Sequence, residues 1–161
     1  MPTPTTPTNP TQPSLADIDR IAARFHFGQV DKGGNRYIAH PRAVAQAVAD
    51  TGGSLHQQMA ALLHDVVEDT TATPEVLASL GVPAPVLVLV DAMTKRDDES
   101  YDQYLHRLSQ VPDAVPIKRA DIADNSRPDR LARLSAGTRR RLTARYQRAT
   151  RLLDRLERGE N

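Results

Sequence analysis

The stretch Leu62-Leu63-His64-Asp65-Val66-Val67-Glu68-Asp69-Thr70 sets polar, ligand-capable side chains into an otherwise apolar run. Read as a helix, Leu62, Leu63, Val66 and Val67 form a stripe that faces a core, and His64 and Asp65 interrupt it. Glu68 follows His64 by one turn and Asp69 follows Asp65 by one turn, so the four polar side chains share neighbouring rows of one surface. An imidazole and three carboxylates held beside a hydrophobic face are disfavoured by desolvation and by mutual repulsion. A divalent cation removes both costs. Adjacent His64 and Asp65 project about 100° apart on a helix, so they reach one ion only if it lies off the helix flank between them. The remaining ligands must then come from other segments.

Two such segments are present. In Tyr37-Ile38-Ala39-His40-Pro41, the proline is expected to restrict His40 to an extended conformation and to supply a favourable first helical residue, which predicts a histidine held at a helix entrance. In Lys118-Arg119-Ala120-Asp121-Ile122-Ala123-Asp124-Asn125, Asp121 and Asn125 fall one helical turn apart. His40, His64, Asp65 and Asp121 together offer two imidazoles and two carboxylates, a set that neutralises a divalent ion and leaves positions for water and substrate. Such donors suit manganese, iron and zinc alike. Glu68 or Asp69, with a pKa raised by crowding, would orient a water or protonate a leaving oxygen. Lys32, Arg36 and Lys118 are candidates to balance phosphate charge. His26, His56 and His106 lack such a constellation and read as packing or surface residues.

The elements that must position these residues are all helical by pattern. Ser14 and Asp17 form a capping-box signature, and Leu15, Ile18, Ile21, Ala22 and Phe25 carry a helix to about Phe27. A glycine-rich loop follows, from Gln29 to Arg36. A helix from Pro41 is broken by Gly52-Gly53, and Ser54 caps the next, expected to run unbroken to about Thr70. Thr73-Pro74 starts a short helix that Gly81 closes, and Ala84 to Met93 reads as helix rather than strand because no partner strand is evident. Ser100 caps a helix through Leu108, and another runs from Pro112 to about Arg127, where Pro128 stops it. Leu142, Tyr146, Ala149, Leu152, Leu153 and Leu156 define one stripe of a final helix, Thr138 to Arg158.

At 161 residues and 39% hydrophobic content, the chain is expected to form one domain, residues 14–161, behind a Pro/Thr-rich tail, residues 1–13, too polar to order itself. A formal charge of +1 does not advertise nucleic acid as a partner. The arginine-rich final helix reads as a solvated face because Asp154, Glu157 and Glu160 intersperse its charge. The lack of cysteine excludes disulfides and thiolate ligands and fits a reducing cytoplasm. No stretch approaches the roughly 20 apolar residues of a membrane span, so no membrane partner is expected. Nothing in the pattern fixes an oligomeric state.

Three blocks in order, Phe27-Gly28-Gln29-Val30-Asp31-Lys32 through His40-Pro41, Leu62 through Thr70, and Lys118 through Asn125, make the chain resemble the HD-domain phosphohydrolases. Within that family it is most similar to the hydrolase domain of the RelA/SpoT-type alarmone enzymes and their small single-domain relatives. The resemblance implies an all-α HD-domain helical bundle and one metal, usually manganese, on His40, His64, Asp65 and Asp121. It implies that Glu68 and Asp69 work around the attacking water, that Asn125 and Lys32 contact the nucleotide, and that the reaction removes the 3′-pyrophosphate from guanosine tetra- or pentaphosphate. The length leaves no room for a synthetase domain, so the expected activity is hydrolytic only. Asp31 stands where such hydrolases usually carry an arginine that stacks on guanine, and Pro128 where they carry a threonine. Two alternatives stay open: an HD hydrolase of another nucleotide or an NADPH-like phosphate ester, and a non-catalytic protein that binds a nucleotide or nucleic acid.

Overall fold

The helix starts follow local hydrogen-bonding rules. Ser14, Ser54 and Ser100 each cap a helix, accepting the backbone N–H three residues on, while the side chains of Asp17, Gln57 and Gln103 reach back to the cap N–H. The structure, a computed structural model, describes residues 12–160. The expected tail over residues 1–13 therefore lies outside the described residues but for Gln12 and Pro13.

Among the described residues ten α-helices follow in order: α1 (Leu15–Phe25), α2 (Ala39–Asp50), α3 (Leu55–Leu63), α4 (Val66–Asp69), α5 (Pro74–Ser79), α6 (Ala84–Met93), α7 (Tyr101–Ser109), α8 (Val115–Asn125), α9 (Pro128–Leu131) and α10 (Ala136–Glu157), with a 3-10 turn at Pro112–Ala114. Among the described residues the only β pairing is an isolated bridge between Val30 and Arg36 that closes the loop before α2. The all-α expectation holds, including a helix rather than a strand at Val86 to Val90. Among the described residues no helix is long and apolar enough to cross a membrane.

α3 is the central element: α2, α1, α6 and α8 all pack on it. Its residues Met59 through Leu63 are buried, with Leu63 fully so. Ile18 of α1, Val44 of α2, Ile117 of α8 and Leu153 of α10 complete the core around it. Burial of this kind supplies the dominant favourable term in folding. The α2–α3 pair carries His40 and His64, and its turn is tight. A Cβ on Gly53 would meet Val48 Cγ1 and lie 2.8 Å from the Val48 carbonyl oxygen.

Four boundaries differ from the sequence reading. The helix expected from Pro41 begins at Ala39, so His40 is helical rather than extended; Pro41 is tolerated because first-turn N–H groups have no intrahelical partner. The helix capped by Ser54 does not continue to Thr70, because it stops at Leu63 and resumes as α4 at Val66. His64 Nδ1 lies 2.7 Å from the Ala61 carbonyl and donates to it, satisfying an acceptor that helix continuation would otherwise use. Asp65 then takes φ −103° and ψ −3°, which swings the chain before α4. The helix expected from Pro112 begins as the 3-10 turn and becomes α-helical at Val115. Pro128 does more than stop α8, since it is the first residue of α9.

The Gly53→Ala substitution is expected to destabilise the fold by about 1–3 kcal/mol through overpacking against Val48, measured by urea denaturation. The hairpin that presents both histidines would be strained directly.

Candidate metal centre and adjoining cavity

Each histidine is oriented through its Nδ1. His40, the second residue of α2, lies with Nδ1 2.6 Å from Asp124 Oδ2 on α8. His64 is held by the Ala61 carbonyl. In both rings Nδ1–H is the donor, which leaves Nε2 as the free lone pair of the neutral ring. The rings meet edge to face with centroids 5.2 Å apart.

The two Nε2 atoms converge with two carboxylates. Asp65 Oδ2 is 3.0 Å from His64 Nε2 and 3.7 Å from His40 Nε2. Asp121 Oδ1 is 3.1 Å from His40 Nε2 and 3.6 Å from His64 Nε2. One ligand atom from each of His40, His64 and Asp65 falls within 4.8 Å of the others. His64 Nε2 is buried and, among the described residues, finds no hydrogen-bond partner. A buried polar atom without a partner is costly. Here it faces carboxylate oxygens, so the donor set fits a divalent cation held by His40, His64 and Asp65 with Asp121 beside them.

The break between α3 and α4 is what brings His64 and Asp65 to one centre, which a straight helix would splay apart. Asp121 is the hub of the α8 side: Lys118 Nζ donates to Oδ2 at 2.8 Å and Asn125 Nδ2 to Oδ1 at 2.7 Å. Lys118, a candidate for substrate phosphate, is thus buried against Asp121 and does not line the adjoining cavity. Its ammonium neutralises a buried carboxylate. Glu68 and Asp69 stand outside the donor cluster on an exposed rim, where Glu68 Oε2 accepts the Lys95 backbone N–H at 3.1 Å. Asn125 and Lys32 both line the cavity, Lys32 from the exposed loop.

Four residues at this site were not singled out by spacing. Tyr37 donates its hydroxyl to Asp65 Oδ2 at 2.5 Å. Asp124 orients His40, and Arg130 Nη2 lies 2.9 Å from the same Asp124 oxygen. Gln29 Nε2 donates to the Asp69 carbonyl at 3.0 Å, tying the glycine-rich loop to the end of α4. Asp124, one turn after Asp121 in the same block, was detectable as a second acid; Arg130 had no local signal. His26 is indeed a packing residue, buried against Tyr37 with ring centroids 4.9 Å apart.

Charge follows from this arrangement. Burial opposes protonation of His40, yet hydrogen bonds to Asp121 and Asp124 outweigh it and raise its pKa. Burial likewise opposes His64, and the charges of Asp65 and Asp121 raise it well above the usual imidazole value. Asp65 is penalised by burial but held by His64, and its pKa falls to about 2. Glu68 and Asp69 move the other way, raised by desolvation at the rim and by the charge of Asp65.

A cavity of about 360 Å³ adjoins the centre, with His40, Tyr37, Lys32, Asn125, Arg133 and Tyr146 in its wall. That volume suits a small organic ligand. A wider groove of about 840 Å³ between α1 and the turn before α6 includes none of the chemistry-bearing side chains.

Residues 20–127 match the family model described as HD domain. The chain is 35% identical over 135 residues to a guanosine-3′,5′-bis(diphosphate) 3′-pyrophosphohydrolase of Haemophilus influenzae, a match covering 73% of this chain and 20% of that protein. It is 34% identical over 135 residues to the bifunctional (p)ppGpp synthase/hydrolase SpoT of Escherichia coli, covering 73% and 19%. To a GTP pyrophosphokinase of Streptomyces coelicolor it is 36% identical over 126 residues, covering 71% and 15%. The match thus spans a fifth or less of these curated relatives. A solved structure described as a metazoan ortholog of SpoT that hydrolyzes ppGpp aligns with a TM-score of 0.74 at 24% identity, over 93% of this chain and 88% of that one, and shares the fold.

Two outcomes follow from the centre. Asp124→Asn is expected to weaken divalent-metal binding by about 10- to 100-fold, as loss of a carboxylate that orients a ligating histidine does; metal titration followed by calorimetry reads it, with circular dichroism as the control for folding. The second concerns pH. His40 and His64 have raised values without a cation, so their pairing stabilises the metal-free fold fully below the ordinary value of 6.5 and is lost as pH rises through the raised folded values. Asp65 contributes above the ordinary carboxylate value, and this is lost as pH falls towards about 2. Thermal denaturation in chelator should therefore show stability declining on both sides, while metal affinity rises with pH as the imidazoles release protons.

Proposed function

The chain belongs to the HD-domain family, and on that premise we propose that it is a metal-dependent phosphohydrolase that removes the 3′-pyrophosphate from guanosine 3′,5′-bis(diphosphate)-type alarmones. The observation that carries this reading is the convergence of two Nε2 atoms and two carboxylates beside a cavity whose wall includes His40. The names of the hydrolase relatives from Haemophilus and Escherichia supply the substrate. Residues 14–161 act in this reading as one domain, in the cytoplasm where nucleotide substrates and reducing conditions coincide.

His40, His64, Asp65 and Asp121 hold the cation, which we take to be manganese. When bound, such an ion polarises a phosphoryl oxygen and acidifies water. The rest is done by the chain itself. Asp124 and the Ala61 carbonyl keep both Nε2 atoms turned inward. Lys118 and Asn125 fix the Asp121 carboxylate. Tyr37 fixes Asp65 from the side of the cavity. Glu68 and Asp69, with raised values, hold a proton near neutrality more readily than ordinary carboxylates. One accepts the proton of the attacking water and the other delivers one to the departing 3′ oxygen, so that the P–O bond breaks without building alkoxide charge. Lys32 and Asn125 contact the nucleotide.

The purified chain with manganese should release pyrophosphate from guanosine 3′,5′-bis(diphosphate), detected by phosphorus NMR. Release of monophosphate, or no reaction with the alarmone alongside turnover of another phosphate ester, would replace the substrate. Asp65→Ala with the fold intact should abolish turnover, and Glu68→Gln should lower kcat by about 10²- to 10⁴-fold.

A further inference from the structure

α7 packs against α10, and at their seam lies a cleft of about 290 Å³ lined by Asp102 and His106 from α7 and by Arg148, Arg151, Leu152 and Arg155 from α10. It shares no residue with the cavity beside His40. Leu152 belongs to the core and gives the cleft an apolar floor. The three arginines follow one another at intervals of three and four residues, so they form a single row on α10. Like charges at that spacing repel and destabilise a helix. An anion shared between them removes the cost.

α10 carries seven arginines and two acidic residues, and the fold turns both acids elsewhere. Asp154 accepts a hydrogen bond from Arg119 of α8 at 2.7 Å, and Glu157 accepts from the same guanidinium. Beyond the helix, Glu160 is held by Arg158. Within the cleft the one carboxylate, Asp102, is paired with Arg148. Among the described residues neither Arg151 nor Arg155 has an ion-pair partner, and both are exposed. His106 adds a ring N–H donor from the opposite wall.

A concave site lined mainly by one sign of charge above an apolar floor focuses the field and concentrates counter-ions. Guanidinium groups offer planar pairs of N–H donors that match phosphate oxygens. The volume lies below the roughly 300–1,000 Å³ of pockets for drug-sized ligands, which favours a compact anion over a nucleotide.

We propose that the cleft between α7 and α10 is a second ligand site, taking a compact oligophosphate of the size of inorganic pyrophosphate on Arg151 and Arg155, with His106 opposite and Arg148 held at its edge by Asp102. The site lies apart from the histidine centre and stands whether or not that centre cleaves alarmones.

Inorganic pyrophosphate is titrated into the full chain by calorimetry, with divalent ions chelated so that none bridges the anion to the histidine centre. The wild type should bind it, and Arg151→Gln combined with Arg155→Gln should weaken binding by about tenfold or more, as loss of charge-assisted hydrogen bonds does. Arg139→Gln combined with Arg140→Gln removes the same charge from exposed positions of α10 outside the cleft, and should leave the affinity unchanged. Circular dichroism checks that both variants fold. Proton NMR locates the anion: the His106 ring signals should shift on saturation in the wild type and stay in place in the cleft variant. No binding by the wild type, binding that survives loss of both cleft arginines, equal weakening in the two variants, or His106 signals indifferent to pyrophosphate each overturn the site. A short DNA duplex supplies the competing source of phosphate, and its displacement of pyrophosphate at equal phosphate concentration would overturn the free anion as the ligand.

Discussion

The hydrogen bond from His64 Nδ1 to the Ala61 carbonyl ends α3, turns the chain at Asp65 and leaves Nε2 pointing into the cluster. The bond is local, spanning three residues, and the geometry of the centre depends on it. Were the helix to continue, Asp65 would project about a hundred degrees from His64, and the carboxylate could not sit 3.0 Å from Nε2. Its counterpart across the cluster is long-range, His40 to Asp124, and it fixes α2 against α8. A break in one helix and a contact between two others thus produce one set of inward-facing donors.

Holding three aspartates in and around a buried centre demands compensation for each. Asp121 has Lys118 and Asn125, Asp124 has His40, Arg127 and Arg130, and Asp65 has Tyr37 and His64. Each carboxylate is satisfied by groups from a different direction, so the network resists collapse towards any one partner. Lys118 shows the consequence. Its ammonium faces a carboxylate inside the fold.

The elements were largely legible in the sequence, because helix caps and apolar periodicity are local signals. Ser14, Ser54 and Ser100 begin their helices where their spacing to Asp17, Gln57 and Gln103 implies. The side chains expected to gather did gather: His40, His64, Asp65 and Asp121 share one centre. The break before Asp65 was not legible, since Leu62 through Val67 keep a helical apolar pattern across it and only the turned-back imidazole explains the stop. Nor was Arg130, which reaches Asp31 only because Pro128 opens a separate short helix. Read alone, Asp31 is a carboxylate in a phosphate-facing loop; in the fold it is the acceptor that shapes that loop.

The clamp between Asp31 and Arg130 joins residues 99 positions apart. Closing so wide a loop carries an entropic cost that must be met before the contact rewards it, and contacts of high sequence separation slow assembly. The four converging donors come from α2, the α3–α4 break and α8, but Arg130 of α9 reaches the Asp124 carboxylate behind His40, and α10 supplies Leu153 to the core and Tyr146 to the cavity wall. The site is therefore finished only when the last two helices have joined the fold.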